Sequence, residues 1–216
     1  MATPLTIDVV SDVVCPWCYL GKKRLEATLA ARRDIVPEIR WRPFFLDPTV
    51  PRAGKPRIEY ITGKFGGTDK ITPAHERLTG LGKAVGLDFH FEKIEMQPNT
   101  LDAHRLIGWA MAQGNADAVV ENIFADFFVN GVDLSDPASL TAAAERAGLD
   151  ADKIAADLAS DKDEDLVAKQ AQAASASGIG GVPFFVFGGK VAVAGAQEAE
   201  VLSSAIDQAL EALAAK

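Results

Sequence analysis

Cys15 and Cys18 are the only cysteines in a chain of 216 residues, and they stand three apart with Pro16 directly after the first. Two thiols at i and i+3 can close a disulfide within one helical turn. Upstream, Leu5-Thr-Ile-Asp-Val-Val10 reads as a β-strand; downstream, Pro16 to about Arg32 reads as a helix, with Leu25 and Leu29 at helical spacing. Proline suits the first helical position, where its missing N–H has no partner to lose. That makes Cys15 the N-cap residue, facing unpaired backbone N–H groups and the positive end of the helix dipole. Both favour thiolate, the reactive species. Cys18, one turn in on a line with Gly21, Leu25 and Leu29, is expected to be more buried. The spacing therefore predicts an exposed attacking sulfur with a resolving sulfur behind it.

Two other readings of the pair weigh less. Zinc needs four ligands, and a structural site usually brings a second ligand pair; there is none, and His75, His90 and His104 are scattered, so no metal is expected. Inert core thiols would not need a strand-to-helix turn, which is the redox setting. A resolving cysteine also wants a proton acceptor. Asp8 and Asp12 are the nearby carboxylates, although Asp8 fits a solvent-facing strand position and Asp12 fits a turn cap.

The formal charge of −8 argues against nucleic acid as a partner, and no apolar run is long enough to span a bilayer. Lys22-Lys23-Arg24 reads as a solvated helix face. The start Met-Ala-Thr-Pro-Leu-Thr has no basic segment followed by an apolar stretch, so a cytoplasmic location is expected. Disulfides there are usually catalytic or redox-sensing, in keeping with a two-cysteine chain.

The elements that must position the thiols follow from pattern. Ile39–Leu46 alternates as a second strand, with Pro43 keeping it at a sheet edge or marking a bulge, and strand–helix–strand implies parallel pairing. Residues 47–57 are turn-rich, and from there to about 177 the chain reads as helical. Val120, Ile123, Phe124, Phe127 and Phe128 form one apolar stripe. A neighbouring helix starts near Asn99 or Thr100 and stops at Gly114, another opens at Asp136-Pro137, and an Ala-rich one ends at Gly178. Val182-Pro-Phe-Phe-Val-Phe187, Gly188-Gly189 and Lys190-Val-Ala-Val-Ala read as a hairpin. A last helix carries Leu202, Ile206, Leu210 and Leu213 on one face.

With both ends read, the chain resembles the DsbA-like oxidoreductases of the thioredoxin-like superfamily, in their FrnE-type branch, which overlaps 2-hydroxychromene-2-carboxylate isomerases and kappa-class glutathione transferases. Three stretches carry the likeness: Ser11-Asp-Val-Val-Cys-Pro-Trp-Cys-Tyr-Leu-Gly21, Pro98-Asn-Thr-Leu-Asp-Ala-His-Arg-Leu-Ile107 and Gly178-Ile-Gly-Gly-Val-Pro-Phe-Phe185. The resemblance implies an α/β thioredoxin-like fold, a βαβ…ββα mixed sheet with a large all-helical insertion. Residues 1–47 plus 162–216 would form the thioredoxin-like domain and 48–161 the insertion. It also implies a cis bond at Val182-Pro183 facing the cysteines, consistent with the near confinement of cis bonds to X-Pro. Pro16, Trp17, Val182 and Pro183 would then contact substrate, with the Val182 backbone pairing to an extended chain. Asn99 and His104 would line the cleft or, with Asp12, relay protons; as plain structure they read as a cap and a helix histidine. DsbA proper has His where this chain has Trp17, so a milder thiolate and a less oxidising disulfide are expected.

The function implied is thiol–disulfide exchange through Cys-Pro-Trp-Cys on a protein or small-molecule substrate. No bound cofactor is expected beyond the redox disulfide, with glutathione or another low-molecular-weight thiol as co-substrate. The alternative is a glutathione-dependent isomerase or transferase, whose members tend to carry Ser at the first position and to lack the second cysteine. Direction of electron flow and oligomeric state are not written in the sequence.

Overall fold

In the computed structural model, which describes residues 2–215, the chain begins β1 (Thr3–Ser11), α1 (Pro16–Ala31), β2 (Ile35–Pro43) and a two-residue β3 (Lys55–Pro56). Helices α2 (Arg57–Phe65) and α3 (Thr68–Lys83) follow, then β4 (Met96–Gln97), α4 (Leu101–Gln113) and α5 (Ala116–Ala125). The order closes with α6 (Pro137–Arg146), α7 (Ala151–Leu158), α8 (Glu164–Ala176), β5 (Phe184–Phe187), β6 (Val191–Ala194) and α9 (Ala199–Ala214). The chain divides into two compact units, one running to Phe44 and resuming at Gln170, the other Phe45–Lys169.

The first unit is built on a four-stranded sheet of order β2-β1-β5-β6. β1 pairs in parallel with β2 and antiparallel with β5, and β5 with β6 antiparallel. This is the β-α-β, then β-β-α arrangement that the pattern and the resemblance lead one to expect. Leu5, Ile7 and Val9 of β1 and Phe185 and Phe187 of β5 are buried, one side of the pleat at the period of two that strands impose. The second strand lies earlier than its alternation suggested, at Ile35–Pro43 instead of Ile39–Leu46. Its limits are set by its partner, because the register runs from Thr3↔Ile35 to Ser11↔Pro43. β2 is an edge strand, the place where Pro43 does no harm.

Lys22-Lys23-Arg24 is not a solvated face. Lys22 and Arg24 are buried, and Lys22 pairs with Glu26 one turn on. Arg24 donates to the Ala196 carbonyl at 2.5 Å and reaches Glu198. Arg32 likewise bonds Ser203 and pairs with Asp207. Arg24 of α1 and Arg32 at its C-cap thus staple the helix to α9 and the residues just before it, their heads paired.

The second unit is helical. Gly66 and Gly67, at φ 83° and 127°, separate α2 from α3 in conformations side chains avoid. The expected stripe is its core: Val120, Ile123, Phe124, Phe127 and Phe128 are all buried, the last two in a π-helical turn, Asp126–Asn130, that extends α5. Phe128 meets Phe127, Phe89 and Phe91 edge-on, the geometry that ring quadrupoles favour. Arg105 of α4 is fully buried. Its Nε donates to the Lys162 carbonyl at 2.7 Å, its Nη2 to those of Asp157 and Ser160, and its Nη1 to Asp102 Oδ1 at 2.6 Å. One guanidinium therefore ties α4 to carbonyls at and just beyond the end of α7.

Candidate functional site

The site lies in the sheet unit, at the handover from β1 to α1. Cys15 is the N-cap of α1 and Pro16 its first residue. The backbone turns there through two bonds, Cys15 N–H to the Asp12 carbonyl at 3.0 Å and Cys18 N–H to the Cys15 carbonyl at 2.9 Å. Both cysteines are free thiols. The Cys15 side chain makes no capping bond to the helix; instead its Sγ lies 3.5 Å from the Val182 carbonyl oxygen, to which the thiol donates. The Val182–Pro183 bond is cis.

Gly21 explains how the Pro183 segment comes so close. A Cβ built on Gly21 would stand 2.9 Å from Pro183 Cγ and 3.1 Å from Phe185 Cζ, closer than carbon atoms pack. The missing side chain lets the loop before β5 lie on the first turns of α1. Gly21 stands in the cysteine stretch, yet nothing in the sequence assigns it this part; its place three residues after Cys18, on the same helix face, is the only hint.

The expected exposed sulfur is corrected by the structure. Cys15 is 4 % exposed and Cys18 2 %, so the two hardly differ in burial. The Val182 carbonyl, supplied from the far end of the chain, lies against the first sulfur. Burial pushes the Cys18 thiol well above the ordinary cysteine range, and the neighbouring Cys15 sulfur adds to this. The Ser11 hydroxyl and the Asp12 backbone act in the opposite direction. Ser11, the last residue of β1, is buried, and its part at Cys18 was not legible beforehand.

Of the remaining residues singled out by sequence, Asp12 is buried beneath the turn and Trp17 is half-buried in the first turn of α1. Asp8 is taken up by an ion pair with Arg42 at 2.7 Å across β1 and β2. Asn99 and His104 belong to the helical unit. The Asn99 side chain donates to the Val50 carbonyl at 2.7 Å and accepts from Leu101 N–H at 3.0 Å, which fastens the start of α4. His104 is buried in α4 with its ring 5.7 Å from that of Phe45.

The DSBA-like thioredoxin domain model matches residues 6–207. The solved structure of the probable DsbA oxidoreductase SCO1869 from Streptomyces coelicolor is 32 % identical, with a TM-score of 0.87 over 96 % of this chain and 90 % of that one. The uncharacterized protein YwbO of Bacillus subtilis (strain 168) is 28 % identical over 202 residues, 93 % of this chain and 94 % of its own. A 2-hydroxychromene-2-carboxylate isomerase structure shares the fold at 22 % identity, with a TM-score of 0.69 over 97 % and 98 % of the two chains. A match across nearly the whole length, with the sheet order and helical insertion described above, means that the chain belongs to the DSBA-like thioredoxin domain family and has its thioredoxin-like fold.

Proposed function

We propose that this chain is a thiol–disulfide oxidoreductase in which Cys15 attacks and Cys18 resolves. The Cys15 thiolate displaces one thiolate from a substrate disulfide and forms a mixed disulfide. Cys18 then attacks the Cys15 sulfur, the second substrate thiolate leaves, and a Cys15–Cys18 disulfide remains; two electrons have passed to the substrate. The reverse sequence oxidises a dithiol. The observation that carries this reading is the placement of Cys15 as N-cap of α1, beside the Val182 carbonyl and one turn from a second thiol. An anionic sulfur there faces the positive end of the helix dipole.

The causes that hold the Cys18 proton suit this order. Burial and the Cys15 sulfur both keep Cys18 protonated. Once Cys15 is bound in a mixed disulfide its share vanishes, while the Ser11 hydroxyl and Asp12 backbone still favour the anion. Loss of the Cys15 share therefore moves Cys18 toward thiolate when it must attack, with burial still opposing it. Asp12, buried under the turn, is our candidate for receiving the proton. Pro16, Trp17, Val182 and Pro183 would contact the substrate, a protein or a low-molecular-weight disulfide such as that of glutathione, and we place the protein in the cytoplasm. Among the described residues no helix is long and apolar enough to cross a membrane.

Reduction of insulin, and of glutathione disulfide, by the Cys15→Ser and Cys18→Ser variants tests the proposal. Cys15→Ser should fall to background, and Cys18→Ser should accumulate a mixed disulfide. Wild-type turnover in both variants would end it. The fold likeness to the isomerase supports a second reading: glutathione-stimulated isomerase or transferase turnover that survives Cys18→Ser would favour it.

A further inference from the structure

We propose that the start of α2 in the helical unit is a binding site for a dianionic oxyanion, a phosphoryl group or a pair of carboxylates. Three cations gather on one buried ring: Lys55 Nζ, Arg57 Cζ and Lys64 Nζ lie 5.6, 5.8 and 5.2 Å from the centroid of Tyr60. The sequence brings them there simply. β3 and β4 pair Lys55 with Gln97, α2 begins two residues later, and Arg57, Tyr60 and Lys64 recur at i, i+3 and i+7 on one helix face. Glu59, the acidic residue of the first turn, falls on another face of α2 by the same spacing.

Charge compensation is incomplete. Lys64 pairs with Asp47 at 3.3 Å and donates to the Leu46 carbonyl, while the other oxygen of Asp47 is held by Thr49. Among the described residues, neither Lys55 nor Arg57 enters an ion pair. The half-buried Arg57 guanidinium donates to the buried amide oxygen of Gln97, a neutral partner. Burial holds its pKa below the usual arginine value, as expected of a cation without a counter-charge. Nearby Arg52, in contrast, is matched by Asp102 and Glu164. In a chain of net charge −8, two unmatched cations at about a Debye length or less from one another repel.

An oxyanion would remove that repulsion. Arg57 offers a planar fork suited to two oxygens and Lys55 a mobile ammonium. The Arg57 N–H at the start of α2 is taken by the Glu95 carbonyl at 2.7 Å, so the side chains and not the helix end would hold the ligand. Two uncompensated charges favour a dianion over a monoanion.

Isothermal titration of the full chain with inorganic phosphate, malonate and acetate, at constant ionic strength set by potassium chloride, tests this. Saturable binding is expected for phosphate or malonate and not for acetate; the tighter of the two identifies a phosphoryl or a dicarboxylate source. Lys55→Gln and Arg57→Gln should each weaken binding by up to about fivefold, the upper reach of one solvent-accessible charge pair. Lys190→Gln, which removes an exposed charge from the other unit, should leave binding unchanged. Should Arg57→Gln fail to fold, Lys55→Gln and the amide shifts of residues 55–64 on adding phosphate decide. No saturable binding, equal weakening by Lys190→Gln, or shifts confined elsewhere would overturn the proposal.

Discussion

Arg105 and Cys15 are both buried, and both are chemically strong groups, yet their surroundings are opposite. The guanidinium has five N–H donors, and Lys162, Asp157, Ser160 and Asp102 accept from it at 2.6 to 2.9 Å, with the Leu158 carbonyl at 3.5 Å and the Trp109 ring beneath. The Cys15 sulfur has one long bond to the Val182 carbonyl, at 3.5 Å, and the neighbouring Cys18 thiol beside it. A group whose every donor is engaged can only be architecture, because any new partner must first displace an old one. A group held only by long, weak sulfur contacts can change partners, and exchange of partners is what sulfur chemistry requires. The helical unit spends its strongest cation on closing α7; the sheet unit leaves its sulfur lightly held.

That contrast can be broken by substitution. Arg105→Leu should have the largest effect: it removes a buried donor shared by four carbonyls around the end of α7 and leaves Asp102 with Arg52 alone, costing about 3–5 kcal/mol of stability. Urea denaturation measures it, and a loss under about 1 kcal/mol would show that water replaces the guanidinium easily. Gly21→Ala should cost about 1–3 kcal/mol by overpacking against Pro183. Unlike the arginine change, it should also alter the rate at which iodoacetamide labels Cys15, since the Val182 segment must move; an unchanged rate would uncouple Gly21 from the sulfur. The smallest effect is in pH. Burial, and secondarily the charge of Arg57, lowers the His75 pKa to about 4. The unfolded chain takes up that proton near the ordinary histidine value of about 6.5, before the folded chain does, so stability should fall as pH drops through this window. The ring is only partly buried and solvent screens it, so the loss should be no more than about 1–2 kcal/mol. His75→Phe should flatten the dependence of the melting temperature between pH 6.5 and 4; an unchanged slope would assign it to other groups.

The Cys-Pro-Trp-Cys turn, the Gly188-Gly189 hairpin and the phenylalanine stripe were readable because each depends on neighbours in sequence: a proline at a helix start, two glycines between alternating runs, a 3.6-residue period. What escaped depends on distant partners. Cys15 looked exposed because sequence does not show distant neighbours such as the Val182 carbonyl, 167 residues away. Lys22 and Arg24 looked solvated because charge predicts exposure until a matching group arrives; for Arg24 it comes from Ala196 and Glu198. The second strand was misplaced because its limits follow the register with β1 and not its own alternation. The part played by Arg105 had no signal in sequence, since its carbonyl acceptors lie more than fifty residues further on.

The contact between Cys15 and Val182 has one more consequence. While the thiol keeps its proton, the two atoms attract as donor and acceptor; when the proton leaves, two electron-rich atoms confront each other and the attraction changes sign. The peptide group ahead of β5 is therefore a spectator that registers ionisation of the sulfur. A carbon-13 label on the Val182 carbonyl would make that event visible as an infrared frequency change.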